Sequence, residues 1–110
     1  MLVTEKMIQA AFDWLNDHAG PAASAKAERI RAEYGVKRTK ARLYLEAPGG
    51  NIAEREAWAL IQDDFWKAVD REAEAVKDDE FFRGERIKCE AILEAFRTES
   101  ANNRGLGRVG

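Results

Sequence analysis

Apolar residues recur at three- and four-residue steps along nearly the whole of this chain, and this spacing limits its fold more than any other feature. Residues three and four apart lie on one side of an α-helix, so the pattern predicts amphipathic helices. Only two of the 110 residues are proline, and eight are glycine. So few turn-forming residues argue against a sandwich or barrel, which needs many tight turns. We therefore expect an all-α protein.

Interruptions of the pattern predict where the helices begin and end. Gly20 and Pro21 are expected to end the first helix, because proline cannot donate to the helical hydrogen-bond ladder. Thr4 is a candidate N-cap, and Asn51 forms a capping-box pattern with Glu54. Helices are therefore predicted at about residues 4–18, 21–46, 51–61 and 64–100, with a loop at 47–50 and a flexible tail at 101–110.

The second predicted helix carries a regular apolar stripe, which we expect to be its buried face. Its members follow steps of four and three: Ala23, Ala27, Ile30, Tyr34, Lys37, Ala41 and Tyr44. Packing of this helix against the last one predicts a small helical bundle built on a long antiparallel hairpin, in a single domain at residues 1–100. Such a bundle leaves apolar surface uncovered, so a homodimer is also expected.

The last predicted helix changes the direction of its apolar face. One stripe ends at Val76 and the next begins at Phe82, and six residues turn a helix face by about 120°. We expect one continuous helix with an irregularity at residues 78–84. Adjacent positions point about 100° apart, so Phe81 and Phe82 are not both expected in one core. One of the pair is a candidate partner contact.

Charge is segregated along the chain although the net charge is only −2. Residues from Lys26 to Arg42 hold seven bases and two acids, a local charge of +5, whereas residues from Asp63 to Glu99 hold twelve acids and seven bases, a local charge of −5. These segments can pair with each other, bind a polyanion or bind another protein.

Several function classes are disfavoured by composition. The chain has one histidine, His18, and one cysteine, Cys89, and no phosphate-binding glycine-rich loop, so we expect neither an enzyme nor a metal or cofactor site. A lone cysteine cannot form an internal disulfide, which is typical of a cytoplasmic protein. No apolar run reaches the roughly 20 residues that a membrane span requires.

The basic helix supplies the candidate nucleic-acid-binding residues. In a heptad register, Lys26 and Lys40 flank one side of the apolar stripe, and Arg31 and Arg38 flank the other. These flanks can pair with the acidic helix, yet few acids lie beside the stripe of that helix, so some bases remain for phosphate. The candidates for phosphate contact are Arg31, Arg38, Lys40, Arg42, Arg104 and Arg108.

Three stretches, Trp14–Ala19, Ala53–Trp58 and Ala91–Arg104, resemble the short helical proteins of tailed bacteriophages and prophages. Genes for such proteins are often found near single-strand annealing or other recombination genes. The resemblance covers most of the chain and implies a phage or mobile-element origin, a bacterial cytoplasm and a role in DNA metabolism. It implies no particular binding residue.

Three functions follow as hypotheses. The first is a non-enzymatic accessory protein of phage DNA recombination or replication that binds DNA or a partner protein. The second is an inhibitor of a host defence complex, as anti-CRISPR proteins are, whose acidic helix imitates phosphates. The third is a structural dimer. The candidate partner-binding residues of the second are Asp70, Glu72, Asp79, Phe81 and Phe82.

Overall fold

The protein is all-α, as the periodicity predicts. The computed structural model describes residues 2–109, and the side chains of residues 2–105. Three helices account for nearly all of these residues: α1 at Glu5–Glu46, α2 at Ile52–Leu60 and α3 at Asp63–Val109. No strand occurs among residues 2–109. α1 and α3 pack against each other antiparallel, which confirms the predicted hairpin.

The predicted break at Gly20 and Pro21 is wrong, because α1 continues through Pro21. Proline inside a helix removes one hydrogen bond and costs roughly 3 kcal/mol. The carbonyl left without a donor belongs to Asp17, an exposed residue, so water can satisfy it. Packing of α1 against α3 on both sides of Pro21 outweighs the local penalty, and two predicted helices are one.

α3 is unbroken through residues 78–84, so the expectation of one continuous helix is confirmed. The sequence predicts that this helix ends at Ser100, whereas the helical backbone continues to Val109. No proline follows Ser100, and each glycine in a helix costs only about 1 kcal/mol relative to alanine. Residues 101–109, expected as a tail, therefore continue α3.

The chain divides into two compact units. The central unit is Ala23–Glu80, and the terminal unit is formed by the described residues before and after it. The division lies next to Pro21 in α1. In α3 it falls between Glu80 and Phe81, where the apolar face of that helix changes direction.

The terminal unit joins the start of α1 to the second half of α3. Thr4 caps α1, because its hydroxyl accepts a hydrogen bond from the Met7 amide at 3.1 Å. The Val3 amide donates to the Glu99 carboxylate at 3.1 Å. Trp14 stacks on His18 with ring centroids 4.6 Å apart. The Val3–Glu99 hydrogen bond and the ring of Phe82 near Trp14 and His18 join the start of α1 to α3.

The central unit contains a hairpin closed by α2. Asn51 caps α2 by accepting from the Glu54 amide at 2.9 Å, as the capping-box pattern predicts. The preceding loop needs glycine at Gly50, where φ is +101°. Its core is made of small side chains, because five of the six buried apolar residues of this unit are alanines. α1 and α3 can therefore approach closely.

The predicted register of α1 is wrong in the central unit. Ile30 and Tyr34 were expected in the core, yet 48% and 64% of their surfaces are exposed. The buried positions of α1 here are Ala32 and Leu43. Ile30 and Tyr34 each lie two residues from Ala32, or about 200° around the helix, and therefore face away from α3.

Candidate interaction surface

The outward side of α1 in the central unit is a second apolar stripe, which we call the open face. It consists of Ala23, Ala27, Ile30, Tyr34 and Ala41. All are exposed except Ala27, which is half-buried. The open face is about 27 Å long, since each helical residue rises 1.5 Å. α1 thus carries two apolar stripes on opposite sides, and α3 covers one of them.

Basic residues border the open face on both sides. Lys26 and Lys40 lie along one border and Arg31 and Arg38 along the other, as the heptad register predicts. Glu33 is the single acid among these border positions. Lys37 lies within the stripe, and its Nζ is 5.2 Å from the centre of the Tyr34 ring, a cation–π contact that leaves the ammonium at the surface.

A groove runs beside the open face, between α1 and α3, and we call it the arginine groove. It has a volume of about 360 Å³. Eight residues line it: Glu28, Arg31, Ala32, Gly35, Arg38, Thr39, Ala68 and Arg71. Three arginines and one glutamate therefore line this groove.

The arginines of the groove are poorly neutralised. Arg31 reaches Glu28 on the same helix at 3.4 Å, and both side chains are largely exposed, so the pair contributes little. Arg38 and Arg71 form no ion pair with any residue whose side chain the structure describes. A groove with unpaired guanidinium groups favours an anionic ligand, because a planar guanidinium donates two parallel hydrogen bonds to phosphate.

Two other arginines of α1 are engaged by acids of the central unit. Arg42 contacts Glu46 at 2.9 Å and Asp64 at 3.0 Å. Hydrogen bonds to Glu46 and Asp64 raise the pKa of Arg42 further above its usual range. Arg29 reaches from the α1–α3 contact to Asp79 at 3.1 Å and Glu80 at 2.9 Å, and these hydrogen bonds raise its pKa too. Part of the basic helix thus pairs with the acidic one.

The predicted phosphate-contacting residues are distributed unevenly. Arg31 and Arg38 meet in the arginine groove, and Lys40 lies on the opposite border of the open face. Arg42 is occupied by acids. Arg104 is in the terminal unit, beside a shallow surface depression of α3, and the side chain of Arg108 lies outside the described residues. The structure brings together two of the six.

Arg71 is a groove residue that sequence reasoning missed. It belongs to the acidic part of α3, whose overall charge concealed it. A local signal was present, because Lys67 and Arg71 are four residues apart and therefore lie on one face of the helix. The contribution of Gly35, which leaves the groove open by lacking a side chain, carried no such signal.

The candidate residues of the acidic helix lie in different environments. Asp79 is bound by Arg29, and Glu72 is half-buried. Asp70 is exposed. In the terminal unit, Phe82 is half-buried, with its ring centroid 6.3 Å from those of Trp14 and His18. Phe81 is 60% exposed.

The potential metal ligands and the single thiol can be located in the described part of the chain. No group of three or more metal-ligating side chains occurs within it. Cys89 is buried, and burial raises the pKa of its thiol, which disfavours the reactive thiolate. His18 directs Nδ1 at the Trp14 carbonyl at 2.9 Å. Since a carbonyl only accepts, this nitrogen carries a proton.

None of the helices in residues 2–109 combines the length and the apolar character that crossing a bilayer requires. Comparison of the chain with protein-family models, with characterised proteins and with solved structures finds no match.

Proposed function

We propose that this protein is a non-enzymatic accessory factor of phage or prophage DNA recombination or replication, which acts in the bacterial cytoplasm by binding DNA. The observation that supports DNA binding is the arginine groove, in which Arg38 and Arg71, from two different helices, lie without acidic partners among the described side chains. The resemblance to phage proteins supports the biological setting.

The groove suits a phosphate backbone better than a base-specific contact. Guanidinium groups position a strand by its phosphates, which carry no sequence information. The exposed ring of Tyr34 lies on the adjoining open face, where an unpaired base can stack on it. We therefore expect binding with little sequence preference and a preference for single strands.

The measurement is fluorescence anisotropy with labelled single- and double-stranded oligonucleotides at about 50 and 200 mM salt. Two or three phosphate contacts predict that affinity falls about 7- to 18-fold for single strands and about 12- to 42-fold for double strands between these salt concentrations, because each contact releases counterions. The double variant Arg38→Gln and Arg71→Gln removes two of the contacts. It should weaken binding and flatten the salt dependence by about two contacts.

The matched control is the double variant Arg86→Gln and Arg97→Gln. It makes the same change in net charge at two exposed arginines of the terminal unit, and we expect it to bind DNA almost as the wild type does. Absence of binding to both oligonucleotides, or equal losses in the groove variant and the control, would refute DNA binding through this groove.

A further inference from the structure

The open face of α1 indicates a binding site distinct from the arginine groove. The apolar residues of this face have the spacing of a surface that binds another helix. Ala27, Tyr34 and Ala41 recur every seven residues, and Ile30 lies between the first two. In a heptad these are the a and d positions that pack against a second helix. The opposite stripe of α1 already packs in this manner against α3, so both sides of one helix are built for helix contacts.

The borders of the open face indicate the charge of its occupant. Lys26, Lys40, Arg31 and Arg38 stand at the positions that pair with charges of a partner helix, and Glu33 is the single acid among them. Lys26, Arg38 and Lys40 form no ion pair with any described side chain. Acids at the facing positions of a partner would neutralise four bases along the full length of the stripe.

The basic borders of the open face also disfavour a second copy of this chain as its occupant. Contact between two open faces would place basic borders against basic borders, and like charges opposite each other weaken helix pairing. If two copies paired in parallel, Lys26 of one copy would face Arg31 of the other. Only the pairs formed by Glu33 would join opposite charges along the borders. Charge complementarity therefore selects a different chain.

We propose that the open face binds an amphipathic helix of a partner protein, about five turns long, with apolar residues on one side and acids along both borders. Ile30 and Tyr34 are the apolar anchors of this contact. Tyr34 combines a large apolar area with few rotatable bonds, which is typical of residues that dominate interfaces. The DNA-binding proposal can fail without affecting this one.

The test uses two synthetic 21-residue peptides. One carries leucine at its a and d positions and glutamate at e and g, and the other carries lysine in place of each glutamate. Labelled peptide is titrated with the protein and anisotropy is measured. We expect the glutamate peptide to bind and the lysine peptide to bind at least about tenfold more weakly.

Variants then locate the site. Changing Ile30 and Tyr34 together to alanine should lower the affinity for the glutamate peptide about tenfold or more, as truncation of interface anchors does. Lys26→Glu with Lys40→Glu should also lower this affinity, because it places acids opposite the glutamates of the peptide. These two lysines lie on the border of the open face that is remote from the arginine groove. The matched control changes Phe12 and Ile87, two exposed apolar residues of the terminal unit, to alanine, and should bind the peptide normally.

Four outcomes would overturn the proposal. The first two are equal binding of the two peptides, and equal losses in the open-face variant and the control. The third is a dimer in sedimentation analysis that Ile30→Ala with Tyr34→Ala dissociates, which would assign the open face to a second copy. The fourth is no peptide binding by the wild type together with loss of oligonucleotide binding in Ile30→Ala with Tyr34→Ala, which would assign the face to nucleic acid.

Discussion

Glycine has opposite roles at two positions of the central unit. Gly35 lies within α1, and a Cβ added there would meet no atom within 4 Å. Gly50 lies in the loop before α2 with φ at +101°, and an added Cβ would come within 2.8 Å of the Glu54 Cβ and Oε2 atoms. Only the second glycine is required by the fold.

Changing each of these glycines to alanine gives a matched pair of variants. Gly50→Ala should lower the free energy of unfolding by about 1–3 kcal/mol, because alanine is strained at positive φ and contacts Glu54. Gly35→Ala should raise it by about 0.5–1 kcal/mol, since alanine favours the helix. Urea denaturation measures both. If Gly35→Ala lowered the free energy of unfolding as much as Gly50→Ala does, the result would contradict the described helix and loop.

At the scale of the element, α1 shows what periodicity can and cannot predict. Its helical character and its two apolar stripes are both visible in the sequence, but the choice of the buried stripe is not. The stripe with Ile30 and Tyr34 has the larger side chains, and larger area predicts stronger burial. The buried stripe includes Ala32 and the half-buried Arg29, whose guanidinium reaches Asp79 and Glu80. Close approach of small residues decides the register.

The passage of α1 through Pro21 leads to a prediction for that helix. Pro21→Ala restores an N–H that can donate to the Asp17 carbonyl and removes the clash of the proline ring. We expect the free energy of unfolding to rise by about 1–3 kcal/mol, measured by circular dichroism during thermal and urea denaturation.

Unchanged or reduced stability in Pro21→Ala would contradict a continuous α1. It would favour instead the two separate helices that the sequence predicts, in which proline suits the first turn of the second helix. Ala10→Pro, in the second turn of the same helix, also removes a helical hydrogen bond. It serves as the reference for the cost of a helical proline and should lower the free energy of unfolding strongly.

At the scale of the whole molecule, composition predicts the class of the fold, and the local arrangement of charge decides the candidate site. The net charge of −2 gives no indication of the arginine groove, because Arg71 lies in an acidic helix. The opposite charges of the two long helices predict that some bases of α1 pair with acids of α3, as Arg29 and Arg42 do. They do not predict which bases pair. Which bases remain unpaired depends on the register of α1 against α3, which the sequence alone predicted incorrectly.

Both binding proposals depend on this register, and thiol accessibility tests it most directly. In a Cys89→Ala background, Ala32→Cys and Ala41→Cys place the same new thiol on the two opposite stripes of α1. Their rates of reaction with a thiol reagent are compared under native conditions and after denaturation. We expect Ala41→Cys to react at nearly its denatured rate and Ala32→Cys at least about tenfold more slowly, since burial protects a group until the structure opens. Equal native rates, or slower reaction of Ala41→Cys, would contradict the open face.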